Sequence, residues 1–157
     1  MNYRTTRDGE DMTTPVSLIR GPKAMVINEY AGSGGDAMPW HFRQAKIGVL
    51  VGKRTRGGLV GFFGPFEALM DGGVVTAPSR GFWTPNGKWE VENQGIAPDV
   101  EVELDPKVVR EGHDPQLEKT VEILLADLKK NPVPVPKKPP YPNYHKGAGP
   151  PPAHPNY

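Results

Sequence analysis

The chain has 157 residues, a net charge of +1 and no cysteine. That length supports one domain with a modest core. The near-neutral balance recruits neither nucleic acid nor an anionic membrane surface, and the missing thiols exclude disulfides, thiolate metal sites and cysteine nucleophiles. The N-terminal MNYRTTRDGEDMTTP has no apolar leader, and no run of about 18 apolar residues occurs anywhere. A cytoplasmic protein without cofactor or metal is therefore expected, since no His or carboxylate pair shows ligand spacing such as His-x-x-x-His.

Glycine and proline, 19 of each, are unevenly spread, with ten of the prolines after Asn131. This skew divides the chain into an irregular or extended segment 1–20, a folded region 21–130 and a proline-rich tail 131–157. MVIN predicts a short buried strand. DAMPWHFRQA predicts a helix, with Trp40, Phe42, Arg43 and Gln44 on neighbouring faces and Pro39 near its start. IGVLVGK is a second strand, β-branched and apolar. Short strands are expected at LVGFF, EALM and VVTAP. GFWTPNGKWEVE reads as a hairpin turning at Pro85-Asn86-Gly87, and PDVEVEL alternates as a further strand.

In HDPQLEKTVEILLADLKKNP, Asp114 is the expected N-cap and Pro115 the first helical residue. Leu117, Val121, Leu124, Leu125 and Leu128 form an apolar stripe expected to dock on the sheet. Lys129 and Lys130 suit the negative end of the helix dipole. The tail has the composition of a disordered or polyproline II segment; a strap docking on another domain is the alternative.

NEYAGSGGDAMPW holds the chemically suggestive residue. Ser33 lies between Gly32 and Gly34-Gly35, after an apolar strand and before a helix. A strand, a tight corner and a helix make the geometry of a nucleophile elbow, which exposes a hydroxyl beside the amides of a helix N-terminus. Ala31 stands where the Gly-x-Ser-x-Gly pattern has its first glycine. A glycine-flanked serine is also an ordinary helix N-cap.

The run GPKAMVINEYAGSGGDAMPWHFRQAKIGVLVGKRTRGGLVG resembles the C-terminal catalytic region of tricorn proteases and, more distantly, the C-terminal (tail-specific) processing peptidases. The block Ala31-Gly32-Ser33-Gly34-Gly35-Asp36 matches their elbow, and VENQGIAPDVEVELDP their closing strand segment. The resemblance spans residues 21–130 and implies a partial ClpP/crotonase-like α/β superhelix, followed here by the amphipathic helix and tail. It implies serine peptidase chemistry, with Ser33 as nucleophile, the Gly34 N–H as oxyanion donor and Glu92 as the carboxylate behind the histidine; Glu90 is the reserve. An alternating strand would turn both glutamates to one face. The lysine that processing peptidases carry beyond the second glycine corner is replaced by Gly58. Lys46 and Lys53 read as surface charges, and Lys53-Arg54-x-Arg56 as a solvated basic turn.

The histidine and second serine that the resemblance calls for lie far N-terminal to the nucleophile, outside this sequence. His41 follows Ser33 by eight residues, about 12 Å along a helix, whereas a general base must reach to about 3 Å. His113 reads as a loop residue, and His145 and His154 fall in the tail. The chain is thus expected to be the nucleophile-bearing half of a peptidase, inactive alone. Its expected partners are peptide substrates, a His-bearing upstream half in cis or in trans, and, by resemblance, further copies of itself. Two other readings stay open: a crotonase-like acyl-CoA enzyme, and a non-catalytic interaction module using the proline-rich tail.

Overall fold

The computed structural model describes residues 1–6, 10–62 and 66–142. Two sheets organise them. Near the N-terminus, β1 (Asn2–Thr5) and β2 (Asp11–Thr14) pair antiparallel. The stretch expected to be irregular or extended thus holds an antiparallel pair of extended strands, joined by a hydrogen bond from Thr5 to Asp11. The larger sheet is parallel, in the order β3 (Ala24–Ile27), β4 (Val49–Gly52), β5 (Val100–Glu101).

Parallel neighbours require a crossover, and helix α1 (Gly34–Gln44) supplies it between β3 and β4. Leu50 on β4 is fully buried and packs in a cluster with Ile27, Phe42, Leu59, Val91 and Ile96. Val51, the next residue, is equally buried and faces the opposite side of the sheet by the alternation of a strand. Asp99 fastens the layers together: its carboxylate accepts from Leu50 N–H at 2.8 Å and pairs with Arg43 of α1 at 2.9 Å. Replacing Leu50 by alanine should cost about 2–5 kcal/mol, measured as a lowered urea midpoint with an unchanged slope.

Helix α1 starts at Gly34, two residues earlier than the sequence suggested, so Pro39 lies inside it rather than at its entry. Between β4 and β5 the chain makes a long excursion. Among the described residues, the strands expected at LVGFF (whose Phe63 lies outside them), EALM and VVTAP do not form ladders. Only single bridges join Gly61 to Arg80 and Ala68 to Val74 among the described residues. Residues with strand propensity stay unladdered where no partner strand lies alongside. The hairpin at Pro85-Asn86-Gly87 is present in outline, with Trp83 opposite Trp89 and Thr84 N–H bonded to Lys88 O at 2.8 Å.

A short helix α2 (Pro106–Arg110), not anticipated, precedes α3 (Pro115–Lys130). The start of α3 is as read from sequence: Asp114 accepts from Leu117 N–H at 2.9 Å, and Pro115 opens the helix. Asp114→Ala should lower stability by about 1 kcal/mol, seen as a small drop in melting temperature.

Its docking face is only partly the one expected. Leu124 and Leu128 of the apolar stripe are half-buried, but Leu117, Val121 and Leu125 are exposed, and Gln116 and Thr120 are buried beside them. The buried polar groups are satisfied, Gln116 Nε2 donating to Val102 O at 2.9 Å and Thr120 Oγ1 to Gln116 O at 2.7 Å. With those bonds made, the polar face can meet the sheet at little desolvation cost.

Residues 132–142 carry no regular structure and run back toward the N-terminal strand pair. There Lys138 pairs with Asp11 at 3.0 Å and Tyr141 donates to Thr6 O at 3.3 Å. No helix among the described residues is long and apolar enough to cross a membrane.

Candidate active site

The elbow is built by the end of β3 and the start of α1. Three glycines surround Ser33, yet none of them has the left-handed conformation. Ser33 itself has φ 54° and ψ −108°. A non-glycine residue held there costs about 1–3 kcal/mol and persists only when its surroundings enforce it. Here Ser33 N–H donates to Gly58 O at 3.0 Å, while Ser33 O accepts from Asp36 and Ala37 at 3.0 and 2.9 Å.

Ser33 occupies the N-cap position but its side chain makes no capping bond. The Gly34 N–H has no partner among the described residues, whereas Gly35 N–H is committed to Gly32 O at 2.8 Å. One of the two amides at the helix entry is thus available to an incoming oxygen, and it is that of Gly34. The glycines differ in purpose. A Cβ at Gly34 would meet nothing within 4 Å, but one at Gly35 would sit 3.0 Å from Ala31 Cβ. The space lies over the corner.

Ser33 is exposed at this corner, not buried in the interior. An open depression of about 300 Å³ flanks the elbow, lined by Ile27, Asn28, Ala31, Gly35, Met38 and Pro39 among others. Relief of the backbone strain makes a stability test possible. Glycine adopts the Ser33 geometry freely but loses more chain entropy on folding. Ser33→Gly should therefore leave stability unchanged or raise it by about 1 kcal/mol, measured by urea unfolding, while removing the hydroxyl.

Opposite the elbow lies the corner Gly57-Gly58-Leu59, which follows β4. Its three consecutive amides all donate to carboxylates. Gly57 and Gly58 N–H bind the two oxygens of Asp36, each at 2.9 Å. Leu59 N–H binds Glu92 Oε2 at 2.5 Å. Gly57 has φ +79°, and a Cβ there would come within 2.5 Å of Gly95 N, so glycine is required.

Glu90 and Glu92 do not lie on an alternating strand, which corrects the geometry expected from sequence. Residues 91–94 form a turn, with positive φ at Val91 and Asn93, so the period-two argument does not apply. The two carboxylates part company. Glu90 Oε2 accepts from the Trp40 indole on α1 at 3.3 Å, while Glu92 reaches the glycine corner. The peptide group joining Gly58 to Leu59 links Glu92, through its N–H, to Ser33 N–H, through its C=O.

Two histidines fall within the described residues. His41 is exposed on α1, and His113 Nδ1 lies 2.9 Å from Glu118 near the start of α3. His145 and His154 lie outside the described residues. Lys53 bridges Glu101 at 2.7 Å and Glu103. The hydrogen bonds to Glu101 and then Glu103 raise its pKa above the ordinary lysine value. A lysine base needs the opposite shift. Among the described residues no group of three His, Asp or Glu side chains could hold a metal ion.

Residues 1–102 match peptidase family S41. The chain belongs to peptidase family S41. This S41 chain is 41% identical over 138 residues to the tricorn protease of Thermoplasma volcanium, a match covering 88% of the chain and 13% of that relative. With the tricorn protease of Thermoplasma acidophilum it shares 38% identity over 129 residues, covering 82% of the chain and 12% of the relative. A crystal structure of the tricorn protease superposes with a TM-score of 0.74 at 38% identity, again over 82% of the chain and 12% of that structure. The S41 chain therefore spans about an eighth of the length of the relatives it matches. The elbow, the glycine corner and the Glu92 turn all lie within the family match.

Sequence reasoning singled out Ser33, Gly34 and Glu92 but missed the part played by Asp36. An acid in the first turn of a helix ordinarily complements the dipole. Nothing local shows that this one is buried and bonded to amides 21 and 22 residues away.

Proposed function

We propose that this chain supplies the nucleophile-bearing part of a serine peptidase, within a ClpP/crotonase-like superhelix to which the parallel sheet and α1 belong. Ser33 Oγ attacks a peptide carbonyl carbon and its proton passes to a histidine contributed by polypeptide outside this sequence, while the Gly34 N–H stabilises the resulting oxyanion. Collapse of that adduct breaks the peptide C–N bond, the histidine gives the proton to the departing amine, and water then hydrolyses the acyl-enzyme to the free acid and Ser33. Glu92 orients that histidine through an intervening group and stabilises its cationic form. Peptides are the substrates. The His-bearing part of the domain, in cis or in trans, and further copies of the chain are the proposed protein partners. Neither a nucleic acid nor a membrane is assigned a role.

One observation carries the reading. Ser33 is held in a strained, positive-φ conformation at a strand-to-helix corner, without a capping bond and next to the Gly34 amide, which has no partner among the described residues. A serine that merely capped α1 would have an extended backbone and a bonded hydroxyl.

The test is labelling by a fluorophosphonate, with the preceding part of an S41 peptidase domain fused or co-expressed. Adduct mass at Ser33, absent from Ser33→Ala, is the expected result. An unlabelled Ser33 in a folded, assembled domain would refute the reading, and affinity for coenzyme A would point to an acyl-CoA enzyme instead.

A further inference from the structure

We propose that Asp36 is a positioning residue for Ser33: its buried carboxylate grips the Gly57 and Gly58 amides and, through the Gly58 carbonyl, sets the backbone from which the Ser33 hydroxyl projects. The consequence for reaction rate rests on the peptidase reading above. The positioning itself does not.

Asp36 is fully buried, and each of its oxygens accepts one of two successive amides at 2.9 Å. It forms no ion pair among the described residues. A carboxylate taken out of water without a cation is tolerated only where its oxygens are met by well-aligned donors. The same glycine corner then returns three bonds to the site. Gly58 O accepts from Ser33 N–H at 3.0 Å, Gly57 O from Asn93 N–H at 2.7 Å, and Leu59 N–H holds Glu92. Just before the corner, Arg56 N–H binds Ala31 O at 2.8 Å. Asp36 is on α1, three residues after Ser33, so the grip closes a loop: helix to glycine corner, and glycine corner back to the serine.

The chemistry singles out a carboxylate. Two N–H donors face it, and an ionised Asp offers only acceptors. Asparagine of the same shape would turn an NH₂ toward one amide, so one hydrogen bond becomes a donor–donor contact. Glutamate brings an extra methylene into a site with no exposed surface.

The test compares Asp36→Asn with the wild-type chain by NMR and by labelling. In the wild type, through-hydrogen-bond couplings should connect the Gly57 and Gly58 nitrogens to the Asp36 carboxyl carbon. Their absence would overturn the proposal without any variant having to fold. In Asp36→Asn, exchange of the Gly57 or Gly58 amide should quicken, and the HN–Hα coupling of Ser33 should move from its positive-φ value.

With the domain assembled, fluorophosphonate labelling of Ser33 should slow about tenfold, and peptide turnover should fall in kcat with little change in KM. Asp114→Ala, destabilised at a remote helix cap, should label at the wild-type rate. If Asp36→Asn loses stability but keeps the Ser33 coupling and labelling rate, Asp36 is structural only and the proposal fails. A wild type that shows the couplings but takes no label supports the positioning geometry and sinks the peptidase reading alone.

Discussion

Ser33→Ala, with the chain joined to the preceding part of an S41 peptidase domain, is expected to abolish peptide hydrolysis, a loss of about 10⁶ in turnover by comparison with other serine hydrolases. The exposed corner, the strained backbone and the Gly34 amide donor remain in that variant, because alanine has the same Cβ and no capping bond is lost. Peptide binding should therefore survive, and KM should change far less than kcat. Residual catalysis of about 10³–10⁴ over water is what an intact oxyanion donor and bound substrate supply without a nucleophile.

The isolated chain provides the companion measurement. His41 and His113, the histidines of the described residues, are respectively exposed on α1 and engaged with Glu118. The chain alone should show no turnover above its own Ser33→Ala control. Clear serine-dependent hydrolysis by the isolated chain would place a base within this sequence and overturn the assignment of the histidine to other polypeptide.

Glu92→Gln is expected to lower turnover of the assembled enzyme by at least about 10-fold, or about 1.4 kcal/mol of barrier. Loss of the carboxylate behind a histidine has cost about 10⁴ where the contact is direct, and a relay through a further group transmits less. Glutamine retains a carbonyl oxygen for the Leu59 amide, so the glycine corner should persist while the negative charge is lost. Glu90→Gln is the control. Its carboxylate is turned to Trp40, and glutamine can still accept from that indole. If Glu90→Gln is crippling and Glu92→Gln silent, the two roles are exchanged; if both are silent, neither carboxylate serves the histidine. Fluorophosphonate labelling in Glu92→Gln should persist at a reduced rate.

Features whose information is local were legible in the sequence. The start of α3 follows from Asp114 and Pro115, because a cap bond and a first helical proline involve residues within one turn. The corner at Ser33 follows from an apolar strand running into a glycine-rich block and then into a helical pattern. The pairing of β3 with β4 needs only a strand, a crossover helix and a strand in succession.

Which face of α3 is buried was legible only in part. Of the stripe Leu117, Val121, Leu124, Leu125 and Leu128, Leu124 and Leu128 are half-buried, but the other three face solvent, and Gln116 and Thr120 turn inward with Val102 O and the helix backbone satisfying them. The described part of the excursion after Leu59 likewise has the residues of strands without the ladders, since pairing depends on a neighbour and not on propensity alone.

The site divides the same way. The sequence by itself determined that a serine with glycine neighbours sits where a strand meets a helix. Only the tertiary structure decided that this serine, rather than a flanking glycine, takes the left-handed conformation, and that Glu92 and not Glu90 reaches the glycine corner. The reason is physical: the bonds that impose the strain and sort the carboxylates run from Ser33 and Asp36 to Gly57 and Gly58, and from Leu59 to Glu92. Those bonds exist only once β4 has brought the glycine corner against the elbow.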